Sequence, residues 1–157
     1  MKSLEKNKNF LIVLASDHAG FNLKEYLKNK LRSNGYPIKD VGCFSDTRVD
    51  YPDFIYKGAK MVAESKNRKG VFICGSGIGA CIVANKVKGI RAALVYNKDT
   101  ALLSRLHNDA NVIVFGGRMI KAKKAYKLLT LWLNTEFSGM ERHKRRINKI
   151  SKIEKNK

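Results

Sequence analysis

The sequence predicts an α/β fold: one parallel sheet of five strands, helices on both of its faces, and one extra helix at the C-terminal end. Three observations carry this expectation. Five short runs rich in β-branched and aromatic residues punctuate the 157 residues. Each is followed by apolar residues recurring every three or four positions, and strand–helix alternation of that kind implies parallel strands with helical crossovers. No internal repeat or interdomain linker interrupts the series. The length suits a single domain (1–157) with a proper core, spanning about 10–150, and a basic tail over 151–157.

Taken in order, Phe10 to Ala15 (FLIVLA) is a strand buried on both faces. It ends in Ser16-Asp17-His18-Ala19-Gly20. Phe21, Leu23, Tyr26, Leu27 and Leu31 then repeat at helical spacing until Asn34-Gly35 stops the helix. Asp17 and His18 thus lie at the C-terminal end of a strand, the edge where open α/β sheets bind ligands. An Asp-His pair elsewhere reads as a cap or turn; its position here makes it a candidate for function.

Tyr36 to Cys43 (YPIKDVGC) is the second strand, and Pro37 with polar alternation marks an edge strand. Phe44 to Pro52 is a loop carrying Asp46, Asp50 and Tyr51. Asp53 stands near the start of the next helix, which runs to about Ser65 with Ile55, Ala59, Val62 and Ala63 facing inward.

The third strand, Val71 to Cys74, breaks into Gly75, Gly77 and Gly79 and then a helix from about Gly77 to Val87. Strand, glycine turn and helix start together form an anion or oxyanion site. The first helical turn has unpaired N–H groups at the positive end of the dipole, and glycines let backbone approach a ligand. Cys74 stands beside this cradle, where a helix N-terminus favours thiolate; the plain alternative is a small buried hydrophobe. The G-x-G-x-G spacing does not fit a dinucleotide fingerprint, and no Gly-Lys-Ser/Thr follows to make a P-loop.

Ile90 to Tyr96 is the fourth strand. Asn97 is the expected N-cap of a helix from about Lys98 to Leu106, which ends in the polar cluster Arg105-Leu106-His107-Asn108-Asp109-Ala110-Asn111. The fifth strand, Val112 to Phe115, breaks at Gly116-Gly117-Arg118. A helix from Lys121 to about Phe137 follows, with Ala125, Leu128, Leu129, Trp132 and Leu133 as its packing stripe. After Gly139, Glu141 to Ile153 is a basic amphipathic helix. Ile147, Ile150 and Ile153 share one side, and Arg142, Arg145 and Arg146 lie near its start. Three isoleucines on so basic a helix need cover, and a second subunit is the expected source.

Net charge is +19. Lysines are spread along the chain, and no aromatic residues interleave with a basic stripe. The charge therefore reads as solvated surface plus a site for a small anion, rather than specific nucleic-acid recognition. The three cysteines, Cys43, Cys74 and Cys81, form no CxxC pair, which argues against a disulfide framework or a zinc site and for a reducing cytoplasm. Met1 to Asn9 is neither a secretory signal nor a transit peptide, and no apolar run approaches a membrane span.

Four segments in one order now stand together: Ser16-Asp17-His18-Ala19-Gly20; Asp50-Tyr51-Pro52; Cys74-Gly75-Ser76-Gly77-Ile78-Gly79 with Ala84-Asn85-Lys86; and His107-Asn108-Asp109-Ala110-Asn111. Over about residues 10 to 150 the chain closely resembles the type B ribose-5-phosphate isomerases, within the family that includes galactose-6-phosphate isomerase subunits. The resemblance implies a Rossmann-like three-layer sandwich in a homodimer, or a dimer of dimers, with sites between subunits and neither metal nor nucleotide cofactor. It implies an aldose–ketose isomerase acting on ribose 5-phosphate and ribulose 5-phosphate through an enediolate. Cys74 would be the base, His107 the acid/base that opens the furanose ring, and Ser76 an aid to proton transfer. The N–H groups of Gly75, Ser76, Gly77, Ile78 and Gly79 would hold the oxyanion. Asp17, His18, Tyr51 and Asn108 would bind the sugar, and Arg118, Arg142 and Arg146 the phosphate. Cys81 and Cys43 depart from the family's usual small polar residue and Thr, and are expected to be buried small residues.

Other readings stay open at this point. The substrate could be a six-carbon sugar phosphate, galactose 6-phosphate or allose 6-phosphate, although Cys74 together with His107 argues for a chain complete in itself. A polyanion-binding protein would have no need of Cys74. A sugar-phosphate sensor that only binds would not need the thiol either.

Overall fold

The structure is a computed structural model and describes residues 9–156. Its elements alternate throughout: β1 (Leu11–Ser16), α1 (Phe21–Ser33), β2 (Ile38–Asp40), α2 (Tyr51–Ala63), β3 (Arg68–Cys74), α3 (Ile78–Ala84), β4 (Ala92–Leu94), α4 (Lys98–Leu106), β5 (Val112–Gly116), α5 (Ala122–Leu133) and α6 (Glu141–Lys155). The strands form one parallel sheet in the order β2-β1-β3-β5-β4. The expected three-layer architecture is therefore the observed one.

Successive strand residues face opposite ways, so each central strand feeds two cores. Ile12 and Leu14 of β1 join Val71 and Ile73 of β3 beneath Leu23 and Leu27 of α1, Ala101 of α4, and Leu129 and Trp132 of α5. Val13, Ala15, Phe72 and Cys74 face the other layer, against Ile55 and Val62 of α2 and Ala80 and Ala84 of α3. The chain leaves β1 for β2 on one side and returns to β3 on the other. That makes the β1/β3 boundary the switch point where such sheets bind ligands.

The element ends differ from expectation for local reasons. The edge strands β2 and β4 keep only three residues each, because each has a partner on one side alone. β3 begins earlier, at Arg68, because its start pairs with Leu11 of β1. α2 begins at Tyr51 and takes Pro52 into its first turn, where a missing N–H costs nothing. Ala63, at its end, is exposed rather than inward. α3 stops at Ala84, and the Asn85 side chain donates to the Ala92 carbonyl at 3.0 Å and accepts from the Ala92 N–H at 2.9 Å. α5 ends at Leu133 rather than Phe137. α6 runs on through Lys155, so residues 151–155 are helix and not a tail. The expected cap at Asn97 is present, with its Oδ1 accepting from the Thr100 N–H at 2.8 Å. Cys43 is buried as expected, but Cys81 is only half buried.

One buried ion cluster escapes the hydrophobic pattern. Lys24 on α1 is fully buried, and its Nζ lies 2.6 Å from Asp40 Oδ2 and 2.7 Å from Glu25 Oε1. Lys28 meets the same two carboxylates. The cluster ties α1 to the edge strand β2. Among the described residues no helix is long and apolar enough to cross a membrane.

Candidate active site

Cys74 closes β3 and is 3% exposed. Its Sγ accepts the N–H of Ala80, in the first turn of α3, at 3.4 Å. That N–H has no partner within its own helix, so the helix start is aimed at the sulfur. A thiolate accepts such a bond more strongly than a thiol does.

The loop between β3 and α3 is tightest at two of its glycines, Gly77 and Gly79. Gly77 has φ +80°, and a Cβ there would stand 2.9 Å from the Gly116 nitrogen. A Cβ on Gly79 would stand 2.5 Å from the Tyr51 ring, which places Tyr51 directly over the loop. Ser76 is exposed; its Oγ accepts from the Ile78 N–H at 3.2 Å, so its own hydrogen remains available to a ligand. Just after β5, the Gly117 N–H donates to the Cys74 carbonyl at 2.8 Å and the Arg118 N–H to the Gly75 carbonyl at 3.0 Å. The exposed Arg118 guanidinium is 3.4 Å from where a Gly75 Cβ would be.

Asp17 and His18 come to the same edge. The Gly20 N–H donates to Asp17 Oδ1 at 2.9 Å, and the Asp17 N–H donates to the Ile73 carbonyl. His18 Nδ1 meets both the N–H and the carbonyl of Val49, at 3.2 and 3.1 Å. Both residues therefore also brace turns, as the plain reading of the pair had it. Asp17, His18, Tyr51, Cys74 to Gly79 and Arg118 form one group at the C-terminal edge of the sheet.

His107, Asn108, Arg142 and Arg146 form a second group elsewhere. His107 caps the C-terminal end of α4. Its ring stacks on that of His143, with centroids 4.2 Å apart and planes at 15°. His143 is the buried residue of α6, and its Nε2 accepts from Arg142 Nε at 3.3 Å. Burial and the nearby His107, Arg142 and Arg146 push His143 below the ordinary histidine value. Arg91 and Arg105 hold the turn that follows. Arg91 donates to the carbonyls of Asn108 and Asp109, and Arg105 Nη1 to Asp109 Oδ1 at 2.8 Å and the Ala110 carbonyl at 2.7 Å. Asp109 takes a positive φ of 44° within that clamp.

The two groups lie at opposite ends of the strands. Gly70 of β3 pairs with Val112, just after the His107 turn, while Cys74 pairs with Gly116. The stretch from Gly70 to Cys74 is about 13 Å of strand. One chain therefore does not bring His107, Asn108, Arg142 or Arg146 to Cys74. The topology dictates this: a loop from strand to helix lies at one edge of a parallel sheet, and a loop from helix to strand at the other. Sequence reasoning missed His143 and Arg91, and named Arg105 only as part of the polar cluster. A signal for His143 was present, because it extends the Ile147 stripe of α6 by one turn. Among the described residues no three His, Cys, Asp or Glu side chains cluster to hold a metal.

A strand-end thiol beside a glycine cradle, with a basic helix on the same chain, suits chemistry on a small anionic substrate, and comparison with known proteins gives the family. The profile of the ribose/galactose isomerase family matches residues 12–150. The chain is 40% identical, over 94% of its length and 97% of the relative's, to a probable ribose-5-phosphate isomerase B of Mycoplasma genitalium. Ribose-5-phosphate isomerase B of Clostridium thermocellum superposes with a TM-score of 0.91 at 43% identity, covering 94% of this chain and 99% of that one. The Mycoplasma genitalium enzyme with bound ribulose-5-phosphate superposes at 0.90 and 40% identity, covering 94% and 98%. The chain belongs to the ribose/galactose isomerase family.

Proposed function

We propose that this chain interconverts D-ribose 5-phosphate and D-ribulose 5-phosphate, and that a second copy completes each site. The observation that carries the chemistry is the Cys74 thiol held against the first turn of α3, beside a glycine loop at the switch point. His107 moves a proton between the ring oxygen and O1 to open the furanose, a task suited to a side chain with a reference value near 6.5. The Cys74 thiolate then takes the C2 proton. The electron pair passes into a C1–C2 double bond, and the carbonyl oxygen becomes an oxyanion held by the loop N–H groups, each such donor being worth roughly 3–4 kcal/mol. The thiol returns the proton at C1. Ser76, whose hydroxyl donates to none of the described residues, carries the proton from O2 to O1 as the ketose forms. Asp17, His18, Tyr51 and Asn108 hold sugar hydroxyls, and Arg118, Arg142 and Arg146 clamp the phosphate. Metal and nucleotide have no part in this scheme. A phosphorylated sugar stays where it is made, which sets the enzyme in the cytoplasm.

The division of these residues between two edges of one sheet supports a homodimer in which each copy lends its His107 edge to the other's Cys74 edge. Ile78 and Ile82 on α3, Leu103 on α4, and Ile150 and Ile153 on α6 leave apolar surface exposed for such an interface.

The test compares ribulose 5-phosphate formation by the wild-type chain and by Cys74→Ala, with a chelator present in both assays. An active wild type and a folded variant reduced by orders of magnitude are expected. A wild type active only on six-carbon phosphates would change the substrate, and an unimpaired Cys74→Ala would remove the thiol from the mechanism.

A further inference from the structure

We infer that His143 is a positioning residue that couples the ring-opening imidazole to the phosphate clamp, fixing the His107 ring by stacking and the Arg142 guanidinium by accepting its Nε–H. This rests on the isomerase reading above.

His143 is 3% exposed and offers two separate contacts. Its face lies flat on His107, 4.2 Å away between centroids and 15° from parallel. Its Nε2 takes the Arg142 Nε–H at 3.3 Å. A ring that accepts at Nε2 carries its proton on Nδ1 and is uncharged. Neutrality matters here, since a second imidazolium against His107 would oppose every protonation that His107 must undergo. The surroundings keep it so. His107 faces it from the end of α4, and Arg142 and Arg146 flank it on α6.

The bond to Arg142 has a second effect. Once Nε is occupied, the side chain is fixed in rotation, and its two terminal nitrogens are left for a phosphate, the geometry guanidinium uses for bidentate pairing. A substrate phosphate drawn to Arg142 thus meets a clamp whose position is set by the same ring that sets His107. The distance between phosphate and acid/base group is then held by a rigid unit rather than by two independent flexible side chains.

Two variants separate the contacts. His143→Phe keeps an aromatic face for His107 and removes the acceptor. Its kcat should stay within about threefold of wild type while KM rises about tenfold. His143→Gln keeps an acceptor for Arg142 and removes the ring. Its kcat should fall about tenfold or more with KM little changed. NMR of the imidazole protons supplies a readout independent of turnover. The His107 signals carry the ring-current displacement of a stacked neighbour in wild type and His143→Phe, and lose it in His143→Gln. A merely structural role predicts that kcat, KM and melting temperature move together in both variants, and that result would overturn the inference. His107 signals unchanged in His143→Gln would overturn it too, whether or not the protein turns over ribose 5-phosphate. A wild type without isomerase activity would sink the proposed function instead, leaving the NMR result to decide the stack.

Discussion

Cys74 and His107 stand at opposite edges of one parallel sheet, Cys74 at the end of β3 and His107 in the turn that leads into β5. In the proposed mechanism, neither edge alone carries a base, a ring-opening group and a complete phosphate clamp. Several expected outcomes depend on that separation and on the packing around it.

Ile82 lies on α3, a turn beyond the glycine loop, and is 56% exposed. Ile82→Asp should leave the single chain folded, because substitutions on an exposed surface act within about 0.5 kcal/mol. It should weaken self-association, and isomerase activity should fall at least tenfold at low protein concentration. Sedimentation velocity and a dilution series of the rate check both parts together.

Gly79 carries Tyr51 against its bare Cα. Gly79→Ala should push the Tyr51 ring away and lower kcat/KM by about tenfold or more, an orientation effect at the loop. Gly77→Ala should act on stability instead, costing about 1–2 kcal/mol for a side chain at positive φ, with the Gly116 backbone adding to the loss. Urea titration of the pair separates the two effects.

The Lys24–Asp40 contact, 2.6 Å in a buried setting, should be sensitive to loss of one partner. Burial alone would raise the Asp40 carboxyl, but hydrogen bonds from Lys24 and Lys28 hold it below its usual range. A carboxyl lowered in the folded state stabilises the fold above its unfolded value, and that stability is lost as pH falls through the folded value. Asp40→Asn should therefore cost about 3 kcal/mol at neutral pH, with the gap to wild type closing at acid pH, as denaturant curves at several pH values would show.

Lys69 gives the opposite sign. Burial, and then the Arg105 charge, lower it to about 8. Below that value the folded state holds a charge it disfavours. Stability attributable to Lys69 should thus rise with pH from about 8 toward the unfolded lysine value near 10.4. Lys69→Met should stabilise by about 1–2 kcal/mol at neutral pH, offset in part by loss of the Phe10 and Trp132 ring contacts. The gain should fade by pH 10, read as melting temperature against pH.

The strand–helix alternation, the α4 cap and the Cys74 loop were legible in the sequence because each is local: an apolar run, an Asn before Lys98, glycines after Cys74. The buried Lys24 was not, since its partner Asp40 lies on another element and a lysine at a helical core position reads as solvent-facing. The candidate site could be proposed from the sequence as a set of residues, but their division between two ends of the strands was not drawn from it. His107 precedes a strand and Cys74 follows one, and that difference already puts them at opposite edges. His143 hid among the cations of Glu141 to Arg146, because its burial comes from the end of α4 and not from its own helix.

The measurement that bears most directly on the shared site is mixing of two inactive chains. Cys74→Ala and His107→Ala would be assayed separately and then after co-refolding. In a dimer that joins the Cys74 edge of one copy to the His107 edge of the other, half the mixed dimers are hybrids, and each hybrid has one site with both residues intact. Activity should return to about a quarter of wild type. If the mixture stays as inactive as its parts although the two chains co-assemble, Cys74 and His107 do not work together across copies, and the account of the site is wrong.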